Sequence, residues 1–129
     1  MAVNVHQERD AMKVLVMERE ATLRRSLAYL LERRGVHVDE GDLDEETLHR
    51  LEGDERYDAV LFNASPQGDR RPSGELSTRV PRGTRLVCFS DEEGRGSVDP
   101  SEVDAHLPFP FSSSELLGVL LGIDRKSVV

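Results

Sequence analysis

The fold of this chain is decided by an apolar stretch near its middle, YDAVLFN at residues 57–63. Four apolar residues in succession before its final asparagine are typical of a strand that is buried on both faces of a parallel sheet. Two further runs have the same character, KVLVM at 13–17 and RLVCFS at 85–90. Residues 36–40 are predicted as a short second strand and residues 106–109 as a fifth strand.

Helical patterns separate these strands in the first half of the chain. Leucines recur at helical spacing between residues 21 and 34, and Gly35 supplies the stop. Asp42 is predicted to cap a second helix that has Glu45 at its third position and ends at Gly53. Alternating strands and helices predict an α/β fold.

The second half of the chain is less regular. Prolines and glycines interrupt residues 64–83, so at most one short helix fits there, around 74–79. A brief helix is predicted at 99–105 behind an Asp-Pro pair, and Ser112 with Glu115 predicts a capping box for the last helix. The pattern therefore predicts a doubly wound, five-stranded parallel sheet whose third helix region is shortened or irregular.

Length and composition limit the class of protein. The 129 residues suit one domain, predicted at 12–122, with tails at 1–11 and 123–129; the second tail is a candidate linker to an effector domain. The net charge of −8 disfavours direct nucleic-acid binding by this domain, and the apolar runs are too short for a membrane span. A start without a signal-peptide pattern and a lone Cys88 favour a cytoplasmic location.

Side chains that can carry chemistry are expected at one edge of this sheet. In doubly wound sheets the functional site lies outside the carboxyl ends of the strands. His37 and His106 have no metal-ligand spacing with any partner, so no metal site is predicted. The residues expected at the carboxyl ends are Glu18, Arg19, Asn63, Ser90 and Phe109.

Three stretches carry a resemblance to a known family. They are LRRSLAYLLERRG at 23–35, YDAVLFN at 57–63, and LPFPFS at 107–112 followed by Glu115. In this order, residues 13–121 resemble the receiver domains of two-component response regulators. The resemblance implies a flavodoxin-like fold and a role as the N-terminal regulatory domain of a bacterial response or transcriptional regulator.

The resemblance also implies that the reaction of the family is lost. An active receiver domain uses an acidic pair to bind magnesium, an acceptor aspartate, a hydroxyl group and a lysine. An amide is not a nucleophile toward a phosphoryl donor, and a guanidinium repels a divalent ion. A degenerate pseudo-receiver that is not an enzyme and binds no cofactor or metal is therefore expected. The residues at the matching positions are Glu18 with Arg19, Asn63, Ser90 and Phe109.

Some of these side chains have two interpretations. Arg19 either pairs with Glu18 or Glu20 at the surface or replaces the charge of the metal. Phe109 is expected to fill the pocket as a core residue rather than to stack on a ligand. The arginines between 70 and 85 are expected to belong to a solvated loop rather than to an anion or partner site.

Three functions are compatible with the sequence. The first is a phosphorylation-independent module that acts by protein–protein interaction, through homodimerisation or effector docking on the face of the fourth helix, fifth strand and fifth helix. The second is a small-ligand or anion sensor that uses the vacated pocket. The third is a residual phosphoacceptor in which Ser65 or Glu18 replaces the aspartate. The residues predicted for the interaction face are Val103, His106, Pro110, Leu116, Val119 and Leu120.

Overall fold

The structure is a computed structural model that describes residues 12–53, 56–65, 71–90 and 98–122. Its strands are β1 (Lys13–Met17), β2 (His37–Gly41), β3 (Ala59–Asn63), β4 (Arg85–Ser90) and β5 (Ala105–Pro108). They form one sheet in the order β2-β1-β3-β4-β5, and every neighbouring pair is parallel. This is the order of flavodoxin-like doubly wound sheets, so the predicted fold class is confirmed.

Helices connect the strands and cover the sheet. The α-helices are α1 (Ala21–Glu32), α2 (Glu45–Glu52), α3 (Pro72–Ser77) and α4 (Ser113–Leu121). A single turn of 3-10 helix, Pro100–Glu102, stands where the fourth helix was predicted. The last α-helix, α4, is therefore the fifth helical segment of the chain.

Both faces of the sheet are buried in apolar layers, because successive side chains of a strand point to opposite faces. Leu27 and Leu31 of α1 pack with α4 on one face. Leu48 and Leu51 of α2 pack with Leu76 of α3 on the other. The strand residues of the first layer are Val14, Val16, Ala59, Leu61, Val87, Phe89, Ala105 and Leu107. Those of the second layer are Leu15, Met17, Val60, Phe62, Leu86 and Cys88.

A glutamate begins α1 next to the carboxyl end of β1. The carboxylate of Glu20 accepts the backbone N–H of Leu23 at 2.7 Å and that of Thr22 at 3.2 Å. These two hydrogen bonds, with Leu23 the stronger influence, hold the pKa of Glu20 below its ordinary value. The helix stops before Gly35, as predicted, and a φ of +83° at this glycine gives the chain a left-handed turn.

The cap predicted for α2 was misplaced by two residues. Asp44, and not Asp42, is the N-cap, and its side chain accepts the backbone N–H of Thr47 at 2.9 Å. The Asp42 carboxylate instead accepts the N–H of its neighbour Leu43. Both aspartates satisfy the composition rule for a cap, and only the path of the chain leaving β2 selects between them.

The fifth strand begins earlier than predicted. The 3-10 helix ends at Glu102 instead of continuing through Ala105, and Ala105 pairs with Val87 of β4. Asp104 draws the chain into the sheet, because its carboxylate accepts the backbone N–H of Leu86 at 2.6 Å. Pairing with a neighbouring strand outweighs the helical start signal here.

The irregular third helix region is confirmed, and ion pairs on one side and a hydrogen bond on the other anchor it. Arg79, just after the six-residue α3, contacts Glu45 at 3.0 Å and Glu52 at 2.8 Å on α2. The hydrogen bonds from Arg79 lower the pKa of both glutamates. On the other side, the buried Ser73 hydroxyl donates to Glu102 at 3.1 Å. The segment is short but bound to its neighbours at both ends.

The last described element is α4. Ser112 and Glu115 form the predicted capping box, and Gly122 follows with a φ of +76°. The predicted tails at 1–11 and 123–129 lie outside the described residues. None of the helices in the described ranges combines the length and the apolar character that crossing a membrane requires.

Candidate functional site

The carboxyl ends of β1 and β3 bring two predicted site residues into direct contact. Glu18 is only 4% exposed, and Asn63 Nδ2 donates a hydrogen bond to its Oε1 atom at 3.0 Å. Glu18 Oε2 accepts the backbone N–H of Glu20 at 2.8 Å. Asn63 Oδ1 accepts the backbone N–H of Ser65 at 2.9 Å. An amide suits this position, because an ionised carboxylate at residue 63 has no N–H to donate to Glu18.

Arg19 stands apart from this hydrogen-bonded pair. Its side chain is exposed, and it makes no ion pair or hydrogen bond within the part of the chain that the structure describes. The interpretation in which Arg19 pairs with Glu18 or Glu20 is therefore wrong. Those two carboxylates accept backbone N–H groups instead.

The space around Glu18 and Asn63 is nearly filled by protein. It holds a volume of about 10 Å³, which is close to the minimum that one water molecule requires. We call this space the acidic pocket. It is lined by Met17, Glu18, Arg19, Leu43, Phe62, Asn63 and Pro72.

The acidic pocket does not fit a magnesium ion. Mg²⁺ demands near-octahedral oxygen coordination and is usually held by one or two carboxylates together with waters. Among the described residues that line it, Glu18 is the only carboxylate; both of its oxygens accept hydrogen bonds, and Arg19 adds a positive charge. Across the described ranges, no group of three His, Cys, Asp or Glu residues is placed to hold a metal ion.

A second, larger cavity opens beside the acidic pocket, at the carboxyl ends of β3 and β4. Its volume is about 210 Å³. We call it the aromatic cavity. It is lined by Leu23, Asn63, Ser65, Phe89, Ser90 and Phe109. Arg19 is absent from this wall, so the predicted grouping of Arg19 with Asn63, Ser90 and Phe109 around one pocket is wrong.

Phe109 is not the core residue that the sequence suggested. It is 45% exposed, and its ring lies 5.4 Å from that of Phe111 and 6.3 Å from that of Phe89. The reason is that β5 ends at Pro108, while the Phe109 N–H donates to the Ser90 carbonyl. Phe109 therefore stands at the rim of the cavity and leaves its interior open.

His106 is a residue whose contact the sequence did not predict. Its Nε2 atom lies 2.6 Å from the hydroxyl oxygen of Ser90, which is buried. His106 is in register with Cys88, and Cys88 and Ser90 lie on the same face of β4 because they are two residues apart. The pair could have been found from the register of β4 and β5, but that register is known only once the order of strands in the sheet is known.

The predicted interaction face divides into a buried and an accessible part. Leu116, Val119 and Leu120 are at most 2% exposed, because they form the side of α4 that packs on the sheet. The prediction that Leu116, Val119 and Leu120 belong to the interaction face is therefore wrong. Pro110 is exposed and His106 is partly exposed. Val103 is partly buried against the second apolar layer.

The arginines of residues 71–85 act as internal anchors where the structure describes them. Arg79 binds α2, Arg71 contacts Glu102 at 3.1 Å, and Arg85 Nε donates to the Val119 carbonyl at 2.9 Å. Arg82 is exposed, and Arg70 lies outside the described residues. These contacts join secondary-structure elements, so Arg71, Arg79 and Arg85 do not belong to the solvated loop that the sequence suggested.

Cys88 is a buried core thiol in the middle of β4. Burial raises its pKa to about 12. A thiol with so high a pKa is almost entirely protonated near neutral pH and is a poor nucleophile. Cys88 therefore contributes packing and no chemistry to the site.

Comparisons with known proteins identify the architecture. No family model matches the sequence, and no curated protein matches it either. Solved structures do match. A receiver domain of a response regulator from Methylobacillus flagellatus superposes with a TM-score of 0.74 at 18% identity, covering 89% of this chain and 100% of that chain. The fold is that of a receiver domain.

Two further structures show the same receiver fold. The chemotaxis response regulator CheY4 of Vibrio cholerae has a TM-score of 0.71 at 17% identity, and covers 88% of this chain and 99% of that chain. A response regulator from Thermotoga maritima, solved in complex with Mg²⁺ and BeF, has a TM-score of 0.69 at 16% identity with the same two coverages. At these identities the receiver fold is shared, and the chemistry has to be judged from the side chains of this chain.

Proposed function

We propose that this chain is a phosphorylation-independent, receiver-like signalling module that acts by protein–protein interaction. The receiver fold supports a signalling role in general. The acidic pocket supports the absence of phosphoryl transfer in particular. On this proposal the chain is the N-terminal regulatory domain of a bacterial response or transcriptional regulator.

The observation that carries the proposal is the hydrogen bond from Asn63 Nδ2 to Glu18 Oε1 at 3.0 Å. It joins the end of β3 directly to the end of β1, where a metal-binding site would need an ion between two oxygen ligands. The amide supplies a donor in place of the ion and lacks the nucleophilic oxygen that an acyl phosphate requires. The polar atoms of Glu18 and Asn63 therefore have hydrogen-bond partners without a metal ion or a phosphate.

Two further side chains support the same conclusion by independent routes. The exposed Arg19 places a positive charge beside the acidic pocket. Phe109 offers a phenyl ring at the rim of the aromatic cavity in place of an ammonium group. Restoring a single residue is therefore not expected to restore the reaction.

The surface proposed for partners is the accessible part of the predicted face. It consists of the region around His106 and Pro110 and the exposed start of the 3-10 helix at Pro100. His106 links this surface to Ser90 on the cavity side. Since no phosphate shifts the equilibrium between states, only a partner or ligand with differential affinity does so.

The decisive experiment is an amide NMR titration with magnesium and beryllofluoride, a mimic of the acyl phosphate. The native protein and Asn63→Asp are both expected to show no saturable shifts at residues 18, 63 or 90. The matched reference is the triple variant Arg19→Asp, Asn63→Asp, Phe109→Lys, which is expected to bind the mimic. Saturable binding by Asn63→Asp alone, or labelling of Ser65 or Glu18 by acetyl phosphate, contradicts the proposal.

Self-association distinguishes the two modes of interaction. Sedimentation velocity over a range of concentrations is expected to show a monomer–dimer equilibrium that Pro110→Glu weakens and Glu46→Lys, on the exposed surface of α2, does not. A monomer at every concentration removes homodimerisation and leaves docking of a different protein as the mode.

A second candidate function, a small-ligand sensor, is favoured by one specific observation. The aromatic cavity is open, because Phe109 lies at its rim and Arg19 does not reach its wall. A ligand bound there contacts Ser90, whose hydroxyl also contacts His106 on the proposed partner surface. Binding of a small molecule that changes self-association or partner affinity tests this candidate.

A further inference from the structure

The aromatic cavity has the size of a site for one small ring. Its volume is about 210 Å³. An apolar cavity of about 150 Å³ holds benzene, whereas sites for drug-sized ligands begin near 300 Å³. A single six-membered ring with one substituent therefore fits inside it.

The wall of the cavity combines rings with a few polar groups. Leu23, Phe89 and Phe109 supply the apolar part, and Phe109 leaves 45% of its surface to solvent. The ring of Phe109 is held in place by Phe111, at 5.4 Å and nearly perpendicular. A rigid, half-exposed ring at a cavity rim offers apolar surface to a second ring at little entropic cost.

The polar groups are able to make further hydrogen bonds. The Ser90 hydroxyl has one donor and two acceptor sites, and its contact with His106 uses one of them. Asn63 has two amide N–H groups, and Glu18 accepts one. A ligand hydroxyl or amide therefore finds a partner at the inner end of the cavity.

The described part of the cavity wall is uncharged, which disfavours an ionic ligand. None of the described residues that line the cavity carries a formal charge. Transfer of a charged group into such a site without a counter-charge is unfavourable. Arg19, on which the alternative of an anion ligand depended, does not line this cavity.

We infer that the aromatic cavity binds an uncharged ligand with one aromatic ring and one hydroxyl or amide group. The inference rests on the sensor function proposed above and names its ligand class. The ring lies against Leu23 and Phe109, and the polar group reaches Ser90 or Asn63.

The test uses phenol, toluene and benzoate as probes of the intact chain, followed by amide and aromatic NMR shifts. Phenol is expected to give saturable shifts at residues 63, 65, 90 and 109, with a dissociation constant of about 1 mM or below. Toluene is expected to bind more weakly and benzoate more weakly still. Ser90→Ala is expected to weaken phenol about tenfold, the equivalent of one hydrogen bond, and to leave toluene unchanged.

A pair of matched variants assigns the shifts to the cavity. Leu23→Trp fills it and is expected to abolish phenol binding, whereas Leu30→Trp, on the exposed side of the same helix, is expected to leave binding unchanged. If Leu23→Trp does not fold, Phe109→Ala removes the rim ring and is expected to weaken phenol about tenfold.

Two results overturn the inference. One is the absence of saturable shifts with phenol and toluene up to their solubility limits. The other is tighter binding of benzoate than of phenol, which restores an anion site. Either failure leaves the interaction module intact, since that proposal is tested by beryllofluoride and acetyl phosphate and not by aromatic probes.

Discussion

Two halves of one site, the acidic pocket and the aromatic cavity, differ in how completely the protein fills them. The acidic pocket leaves about 10 Å³, and its polar atoms bind one another. The aromatic cavity leaves about 210 Å³, and its rim ring is half exposed. Asn63, the last residue of β3, lines both spaces, so the end of this one strand lies between a filled pocket and an open cavity.

The difference follows from what each half has to satisfy. Buried polar groups have to be hydrogen-bonded, and in the acidic pocket the Asn63 amide meets this requirement by donating to Glu18. The described wall of the aromatic cavity is mostly apolar, so no comparable requirement closes it. In the proposed function, the first half keeps the scaffold stable without a metal ion and the second is available to a ligand.

The largest expected effect on stability is seen when a phenylalanine is replaced by alanine in the acidic pocket and, for comparison, in the aromatic cavity. Phe62 lines the acidic pocket and is 1% exposed, whereas Phe109 lines the aromatic cavity and is 45% exposed. Phe62→Ala is expected to lower the free energy of unfolding by about 3 to 5 kcal/mol, because it leaves a buried void. Phe109→Ala is expected to lower it by less than about 1 kcal/mol. Urea unfolding measures both, and equal losses erase the distinction between the two halves.

An intermediate effect is expected from a change of charge at the shared residue. Asn63→Asp replaces the donor to Glu18 by a second carboxylate, and is expected to cost about 2 to 3 kcal/mol of unfolding free energy at neutral pH. The loss should shrink on acidification, because protonation of the carboxyl group that Asn63→Asp introduces relieves the repulsion.

Two controls sharpen that prediction. Asn63→Ala, which removes the hydrogen bond without adding charge, is expected to cost less than Asn63→Asp. Added Mg²⁺ is expected to restore none of the lost stability of Asn63→Asp. A Mg²⁺-dependent rise in its melting temperature shows instead that the pocket still accepts a divalent ion.

The smallest expected effect concerns Glu20, which connects the two halves. Its N–H satisfies Glu18 of the acidic pocket, and its carboxylate caps the helix that carries Leu23 of the aromatic cavity. Its lowered pKa means that the folded state favours the ionised form, so its contribution is present above the unfolded pKa near 4.5 and is lost as the pH falls through the folded pKa.

Glu20→Ala is therefore expected to be slightly less stable than the native protein at neutral pH and to match it at low pH. Chemical unfolding followed from neutral to acid pH measures the difference. Glu20→Gln keeps an acceptor oxygen and isolates the part due to charge. A difference that grows on acidification rejects the capping role.

The sequence was a good guide wherever a local pattern decides the structure. The apolar run of β3 predicted a central strand, and the spacing of Ser112 and Glu115 predicted a cap that forms as expected. The prolines and glycines of residues 64–83 predicted a short third helix. Each of these depends on residues a few positions apart, and such interactions form in nearly the same way in any fold.

The sequence was a poor guide to which side of an element faces solvent at the site. Leu116, Val119 and Leu120 were placed on a partner surface and lie in the core, and Phe109 was placed in the core and lies at a rim. Helical spacing identifies an apolar face without saying what covers it. The end of β5 at Pro108, which exposes Phe109, depends on pairing with β4.

By itself, the sequence determined the order of elements, the five-stranded parallel sheet and the set of residues at its carboxyl edge, because burial periodicity and capping act over short distances along the chain. Only the tertiary structure decided how those residues combine. It brought Asn63 to Glu18 across 45 positions, joined Ser90 to His106 and left Arg19 outside the aromatic cavity. Such contacts depend on strand register and on competition for hydrogen-bond partners, which arise only when distant segments pack together.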